Sequence, residues 1–213
     1  MKIEFVSDIA CPWCAIGLHA LEQALTSIGD EIAVELSFEP FELNPGMGPE
    51  GEDTVAYLAA KYGRTPEQIA QTQAAIRERG AQLGFAFGSR PRVWNTFDAH
   101  RLLCWAGEVD PGAQRALEHA LMRAYHGEGR STSDPAVLVE LVTESGLDPA
   151  RARAILGSDE YATEVREREQ FWQRAGIHSV PAIVVDRRHL ISGGQPPEVF
   201  EDALRRIAAQ ADG

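Results

Sequence analysis

The chain has 213 residues, and 32 acidic against 20 basic side chains give it a formal net charge of −12 at pH 7. No block of Lys and Arg interrupts this acidity, so we expect neither nucleic acid nor an anionic membrane as a partner, since both select a concentrated positive surface. No stretch approaches the roughly 18 apolar residues of a membrane span. The start of the chain lacks the pattern of a secretory signal, and we therefore expect a cytoplasmic protein.

The first 40 residues predict a strand, a helix and a second strand. Apolar residues alternate over residues 2–7, which indicates a strand. From Pro12 the apolar residues follow helical spacing until Gly29, which can end the helix. Residues 32–38 alternate again. A strand, helix and strand in so short a span indicate a βαβ unit with parallel strands and a right-handed crossover.

The middle of the chain is helical in pattern, and strands return only near the end. Residues 181–186 and 189–194 indicate a hairpin, followed by a last helix over residues 197–210. The predicted fold class is therefore α/β, with one domain built from residues 1–45 and 176–213 and an all-helical domain, residues 46–175, inserted between them. The predicted helices of this insert cover residues 54–83, 95–107, 111–126, 134–145 and 149–175.

The segment "SDIACPWCAIG" places two cysteines at the predicted strand-to-helix junction. Cys11 falls near the N-cap, and Pro12 falls near the first helical position, where proline loses no hydrogen bond. The helix dipole and free backbone N–H groups lower the pKa of such a cysteine from about 8.5 to between about 3.5 and 7.5. Cys11 is thus the candidate nucleophile, and Cys14, one turn later, is the candidate resolving thiol.

Zinc and a structural disulfide are the alternative uses of this pair. A tetrahedral zinc site needs two further ligands, but Cys104 stands alone and no two of the six histidines form an H-x-x-x-H pair, so we predict no metal. A permanent disulfide over so short a loop gains little, and a reducing compartment opposes it. We expect Cys104 to be a buried apolar residue, with a third redox thiol as the alternative.

A second signal lies in "SVPAIVVD", where Pro181 immediately precedes a predicted strand. Proline is tolerated there as the first residue of a strand or on an edge. A cis Val180–Pro181 bond would leave the Val180 backbone free to pair with an extended substrate near Cys11. The sequence alone favours trans, because few X-Pro bonds in folded proteins are cis.

The segment "WNTFDAHRLLCWA" contains His100 and Arg101 within an otherwise apolar helix. Asn95 or Thr96 can cap this helix. His100 and Arg101 either pack in the interior or line a cleft beside the dithiol, and in both places they need polar partners.

Three further residues lie within or just before the cysteine motif. Trp13 is expected to be exposed and to offer an aromatic contact to a substrate, with Pro12 beside it. Asp8 could influence proton transfer, but we expect a solvated carboxylate at the end of the first strand.

Together these segments resemble the DsbA family of thioredoxin-fold oxidoreductases, and within it the FrnE-like branch, which is related to 2-hydroxychromene-2-carboxylate isomerases and kappa-class glutathione transferases. The resemblance implies a thioredoxin-like fold with a helical insertion and a cis Val180–Pro181 bond facing the dithiol. It also implies that Cys11 is the nucleophile and Cys14 the resolving thiol. The segments that carry it are "SDIACPWCAIG", "FELNPGMGPEG", "WNTFDAHRLLCWA", "SVPAIVVD" and "ISGGQPPEVF".

The predicted function is thiol-disulfide exchange through a mixed disulfide on Cys11, with a disulfide-containing protein or a small thiol as partner and no cofactor. Related isomerases and transferases commonly have serine where Cys11 stands, so both cysteines favour this function. A glutathione-dependent isomerase or transferase, with glutathione as co-substrate, is the first alternative, and a non-enzymatic protein that binds in the cleft is the second. The direction of electron flow and the oligomeric state stay open. The predicted substrate-binding residues are Pro12, Trp13, His100, Arg101, Val180 and Pro181.

Overall fold

A computed structural model describes residues 1–211 of the chain. Its main sheet has four strands in the order β2-β1-β5-β6. The strands are β1 (Lys2–Ser7), β2 (Glu35–Pro40), β5 (Ala182–Val185) and β6 (His189–Ser192). β1 pairs in parallel with β2 and antiparallel with β5, which in turn pairs antiparallel with β6. The two ends of the chain therefore build one sheet, as the strand order predicted.

The central strand β1 is covered on both faces. Ile3 and Phe5 lie in the main core, whereas Val6 packs in a smaller cluster with Trp172. Helix α1 (Pro12–Ile28) connects β1 to β2 and packs against the last helix, α9 (Pro197–Ala211). Five of the six residues of β1 are buried, including the polar Glu4 and Ser7.

Helices fill the chain between β2 and β5. Two of its short segments, β3 and β4, pair as a separate two-stranded antiparallel sheet. A turn of π-helix, Arg123–Gly127, follows α5. The elements are β3 (Glu52–Asp53), α2 (Thr54–Tyr62), α3 (Pro66–Gln82), β4 (Arg92–Val93), α4 (Phe97–Val109), α5 (Pro111–Met122), α6 (Pro135–Glu144), α7 (Pro149–Leu156) and α8 (Ala162–Arg174).

Some predicted boundaries were wrong, for local reasons. The predicted helix 54–83 is two helices, because Gly63 ends α2 at φ 63° and Thr65 starts α3 with a capping box to Gln68. The predicted helix 149–175 is likewise interrupted after Gly157 and restarts beyond Tyr161, which has φ 62°. β3 and β4 were missed because a two-residue strand has no period to detect.

The apolar core is continuous across the predicted domain boundary. Ile16 of α1, Ile76 of α3 and Leu102 of α4 belong to the same cluster of buried side chains. The division into residues 1–45 with 176–213 and residues 46–175 therefore stays a prediction.

Within residues 1–211, no helix combines the length and the apolar character that crossing a membrane requires.

Candidate active site

Cys11 is the N-cap residue of α1, with extended backbone angles of φ −89° and ψ 112°, and Pro12 is the first helical residue. The Cys11 N–H donates to the Asp8 carbonyl oxygen at 3.0 Å, and the Cys14 N–H donates to the Cys11 carbonyl oxygen at 3.0 Å. Cys11 is 5% exposed and Cys14 is fully buried. The turn after β1 thus holds both cysteines at the start of the helix, where the dipole favours an anion.

The two thiols have opposite pKa shifts. The hydrogen bond from the Cys14 side chain lowers the pKa of Cys11, and the backbone N–H groups of Cys14 and Trp13 add to this, although burial opposes them. Burial raises the pKa of Cys14 well above its usual value, and the neighbouring Cys11 raises it further. Cys11 is therefore the thiol that ionises first. Cys14 stays protonated, and its S–H group donates a hydrogen bond to the Cys11 sulfur.

Val180 lies beside Cys11, although it comes from the other end of the chain. Cys11 Sγ lies 3.6 Å from the Val180 carbonyl oxygen, and the Val180–Pro181 peptide bond is cis. The Pro181 carbonyl oxygen accepts a hydrogen bond from Gly193 N–H at 2.8 Å, which ties this turn to the end of β6. Both residues that the "SVPA" segment singled out lie at the dithiol.

Two glycines let α1 approach these turns closely. A Cβ atom at Gly17 would stand 3.0 Å from Pro181 Cγ and 3.3 Å from Gly194 Cα. A Cβ atom at Gly194 would stand 3.1 Å from the Trp13 carbonyl oxygen. The "ISGG" segment therefore supplies a close backbone contact behind the cysteine motif.

A cleft of about 960 Å³ opens beside Cys11. The turn carrying Cys11, Pro12 and Trp13 forms one wall, and α2, α3 and residues 87–93 form the others. Trp13 is 43% exposed, in agreement with the exposure that its position predicted. Among the described residues, Val180 and Pro181 do not line this cleft, so Cys11 lies between the cleft and the proline turn.

The prediction that Asp8 is a solvated carboxylate was wrong. Asp8 is fully buried, and its carboxylate accepts hydrogen bonds from Ala10 N–H at 3.0 Å, Leu43 N–H at 2.6 Å and the Thr96 hydroxyl at 2.8 Å. The Thr96 side chain thereby bonds to Asp8 instead of capping α4, while Asn95 Oδ1 accepts from the Phe97 N–H at 2.8 Å. Asp8 ties the turn before Cys11 to the helical part of the chain.

His100 does not line the cleft, contrary to its prediction as a substrate-binding residue. It is 1% exposed, and its Nε2 atom lies 3.6 Å from Asp8 Oδ1. Burial lowers the pKa of His100, but the charges of Asp8, Glu42 and Glu118 outweigh it and raise the pKa overall. Glu118 is also buried, and burial raises its pKa to about 7 although its Oε1 accepts a hydrogen bond from the Ser7 hydroxyl at 2.9 Å.

The prediction that Arg101 binds substrate was also wrong, because its side chain is buried. Arg101 is 4% exposed and donates to the carbonyl oxygens of Ile155, Ser158 and Glu160, and its Nη1 pairs with Asp98 at 2.7 Å. These carbonyls lie at and just beyond the end of α7, so the guanidinium joins α4 to that turn and has no access to substrate.

Sequence reasoning missed two groups close to the dithiol. Arg90 Nη1 lies 3.4 Å from the Ala10 carbonyl oxygen, and the guanidinium lies 4.9 Å from the centre of the Tyr125 ring. His126 is 3% exposed and borders the cleft, and burial together with the charge of Arg90 lowers its pKa well below the usual value. Neither residue belongs to a motif, so no sequence signal could have found them.

Cys104 differs from Cys11 and Cys14 in its surroundings. It is 2% exposed, as predicted for an apolar residue, and burial raises its pKa to about 12. In residues 1–211, no group of three or more His, Cys, Asp or Glu side chains is arranged to hold a metal ion.

A dithiol at a helix N-terminus facing an X-Pro turn on a four-stranded mixed sheet defines a thioredoxin-fold protein. More narrowly, residues 2–205 match the model of the DSBA-like thioredoxin domain, and the chain belongs to that family.

Solved structures agree with this assignment. The chain is similar to a probable DsbA oxidoreductase from Streptomyces coelicolor, with 38% identity and a TM-score of 0.90 over 97% of this chain and 89% of that one. A cytosolic disulfide reductase, DsbM, from Pseudomonas aeruginosa, solved with GSH, shares 18% identity and a TM-score of 0.68 over 98% of this chain and 100% of that one. A 2-hydroxychromene-2-carboxylate isomerase shares 15% identity and a TM-score of 0.69 over 100% of this chain and 98% of that one.

Proposed function

We propose that this protein is a thiol-disulfide oxidoreductase that uses Cys11 and Cys14 through a mixed disulfide. The observation that supports it most is the position of Cys11, at the N-terminus of α1 and at the edge of a cleft, with Cys14 one turn later. The lowered pKa of Cys11 and the raised pKa of Cys14 agree with this arrangement. A thiolate is the form of cysteine that attacks a disulfide. Cys11 is thus the nucleophile and Cys14 the resolving thiol.

The reaction has two exchange steps. The Cys11 thiolate attacks one sulfur of a substrate disulfide, a bond forms between Cys11 and that sulfur, and the other substrate sulfur leaves as a thiolate. Cys14 then loses its proton and attacks the Cys11 sulfur, which releases the second substrate thiolate. Two electrons pass from the dithiol to the substrate, and both leaving thiolates take up protons. The reverse sequence oxidises a substrate dithiol.

Pro12, Trp13, Val180 and Pro181 are the proposed substrate contacts. The Val180 backbone already reaches the Cys11 thiol through its carbonyl oxygen, 3.6 Å from the sulfur. A bound substrate would lie between this turn and the exposed indole of Trp13, with the two residues on either side of the sulfur under attack. The proposal includes a cytoplasmic location, in keeping with the similar protein from Pseudomonas aeruginosa, a cytosolic disulfide reductase.

The test is an equilibrium redox titration of the purified chain. We expect the protein to lose two hydrogens reversibly in buffers of reduced and oxidised dithiothreitol, with peptide mapping assigning the disulfide to Cys11 and Cys14. Cys11→Ser is expected to abolish both this change and the turnover of a model disulfide. Cys104→Ser is the matched control and is expected to leave both intact. Undiminished turnover in Cys11→Ser would contradict the proposal.

The alternatives predict different results in the same assays. A glutathione-dependent isomerase or transferase would bind glutathione in calorimetry and keep its turnover when Cys14 is replaced by serine. A non-enzymatic binding protein would keep its affinity and function in the Cys11→Ser, Cys14→Ser double variant. The fold of the isomerase relative fits the first alternative, whereas the presence of a cysteine at position 11 favours thiol exchange.

A further inference from the structure

The cleft beside Cys11 carries positive charge in a strongly acidic chain. The formal net charge of the chain is −12. Asp53 is the one carboxylate among the described residues that line the cleft, and four cationic side chains share that lining. These cations, here called the cleft cations, are Lys61, Arg64, Arg77 and Arg90.

The charge of the cleft cations is not neutralised within the protein. The Asp53 carboxylate is occupied by the N–H groups of Val55 and Ala56, at 3.0 and 2.9 Å, where it caps α2. Within residues 1–211, none of the four cations lies within 4.0 Å of a carboxylate oxygen, whereas arginines elsewhere pair closely, as Arg115 does with Glu22 at 2.6 Å. Unneutralised positive charge in a cleft attracts anionic ligands.

The cleft cations come from different walls of the cleft. Arg90 Nη1 lies 3.4 Å from the carbonyl oxygen of Ala10, the residue before Cys11. Lys61, in the last turn of α2, donates to Asn44 Oδ1 at 2.6 Å and to the Leu43 carbonyl oxygen at 3.2 Å. Arg64 lies in the turn between α2 and α3, and Arg77 lies on the face of α3 that borders the cleft. That face consists of Ile69, Thr72, Gln73, Ile76 and Arg77.

The remaining lining suits a small molecule. The cleft volume of about 960 Å³ is at the upper end of the ~300–1,000 Å³ typical of small-molecule pockets. Trp13, Tyr57 and Tyr62 place aromatic rings in the same walls. Apolar walls with a few charged groups are typical of sites that bury most of a ligand and orient it by its charges.

We propose that the cleft selects small disulfides that carry negative charges, such as carboxylates or phosphates, with the cleft cations binding those charges while Cys11 attacks the disulfide bond. The proposal rests on the proposed function and names its substrate class. The reaction consumes one disulfide and yields two anionic thiols, while Cys11 and Cys14 lose two electrons and two protons and become a disulfide. No other reactant is needed for this single oxidation of the dithiol.

The test compares three short disulfides of similar length and different charge. Dithiodipropionate is a dianion, bis(2-hydroxyethyl) disulfide is neutral and cystamine is a dication. The reduced protein is mixed with each, and its oxidation is followed by stopped-flow tryptophan fluorescence at low and high salt. We expect the dianion to react about tenfold or more faster than the neutral compound at low salt, cystamine to react more slowly, and salt to reduce both differences.

Variants locate the effect. Arg64→Gln with Arg77→Gln is expected to reduce the rate ratio of dianion to neutral disulfide about tenfold. The matched control is Arg153→Gln with Arg174→Gln, which removes two exposed arginines outside the cleft lining and is expected to leave the ratio unchanged. Circular dichroism of both double variants checks that they fold, and the salt dependence of the unaltered protein tests the proposal without any variant.

The outcomes separate this proposal from the proposed function. A dianion that reacts no faster than the neutral disulfide at low salt overturns the charge selectivity and leaves thiol exchange in place. A reduced protein that none of the three compounds oxidises overturns both. An equal loss of the ratio in the control variant overturns the role of Arg64 and Arg77.

Discussion

Cys11 Sγ lies 3.6 Å from the carbonyl oxygen of Val180, although the two residues are 169 positions apart in the chain. The sheet creates this contact, because β1 leads directly to Cys11 and its antiparallel neighbour β5 begins directly after Pro181. The contact places the backbone of an X-Pro turn beside the lowered-pKa thiol. The geometry of the candidate site therefore depends on how closely α1 packs against that turn.

Gly17 allows α1 to pack closely against the Val180–Pro181 turn, and a side chain at this position should push the helix and the turn apart. We expect Gly17→Val to lower the free energy of unfolding by about 2 kcal/mol, since atoms forced into a tightly packed contact typically cost about 1–3 kcal/mol. A Cβ atom would already stand 3.0 Å from Pro181 Cγ. Urea denaturation measures the change. Gly46→Val is the control, because Gly46 has no neighbour within 4 Å of a Cβ position, and an equal loss there would contradict the explanation.

The dithiol could be found in the sequence because its signals are local. Cys11 follows a strand pattern and precedes a helical one, so the short segment itself indicates an N-cap cysteine with a partner one turn later. The α/β fold class, with strands at both ends of the chain and helices between them, also followed from pattern, and the family resemblance identified it as thioredoxin-like. For the Val180–Pro181 turn, spacing alone was insufficient, and the family resemblance supplied the cis geometry.

The roles of Asp8, His100 and Arg101 could not be predicted, because their partners are remote in sequence. Asp8 is bonded to Thr96, 88 residues away, and Arg101 is bonded to a turn more than 50 residues away. A polar residue in an apolar segment signals only that it needs a partner, not which one. The positive cleft was missed for the same reason, since Arg64 and Arg77 come together only after the turn between α2 and α3 forms.

The three cysteines should differ in reactivity in the reduced protein. We expect iodoacetamide to modify Cys11 first, with a half-titration point below that of an unperturbed cysteine, because the hydrogen bond from Cys14 lowers the pKa of Cys11. Burial raises the pKa of Cys104 to about 12, so it should react only after unfolding. Peptide mapping of partly modified protein measures the order. Faster modification of Cys104 than of Cys11 would rule out this assignment.

Glu118 should make the protein less stable as the pH rises. Burial raises its pKa from 4.5 to about 7, so the folded protein holds this proton more tightly than the unfolded chain. Stability is therefore greatest below the unfolded value and falls as the pH rises through the folded one. Two and a half pH units correspond to about 3 kcal/mol. Glu118→Gln has no such proton, and its free energy of unfolding relative to the unaltered protein should rise by about that amount between pH 4 and pH 8.

The measurement is urea denaturation of both proteins across this pH range. Using the difference between them removes most of the contribution of titrating groups that do not interact with Glu118, such as His126, whereas His100 responds to the Glu118 charge and contributes to the difference. The control is Glu78→Gln, which removes a carboxylate from an exposed position on α3. A difference for Glu118→Gln that stays flat across this range would mean that the pKa of Glu118 is the same in the folded protein and in the unfolded chain, and would contradict the prediction.

Arg101 should matter for stability and not for exchange. Arg101→Gln removes the buried guanidinium that donates to the carbonyl oxygens of Ile155, Ser158 and Glu160, and we expect the free energy of unfolding to fall by about 3 kcal/mol. The rate of disulfide exchange per folded molecule should be unchanged. Arg153→Gln, at an exposed position of α7, controls for the loss of one charge. A fully stable variant with impaired exchange would restore Arg101 as a substrate-binding residue.

The central claim is that Cys11 attacks the substrate and Cys14 resolves the intermediate. Intact-mass spectrometry of Cys14→Ser, mixed with an excess of a small disulfide and quenched with acid, tests it directly. Without its resolving thiol, the variant is expected to hold one substrate half per chain, and peptide mapping should place it on Cys11. The unaltered protein under the same conditions should show no adduct and a mass two hydrogens lower. An adduct on Cys104, or a Cys14→Ser variant that stays unmodified, would contradict the account.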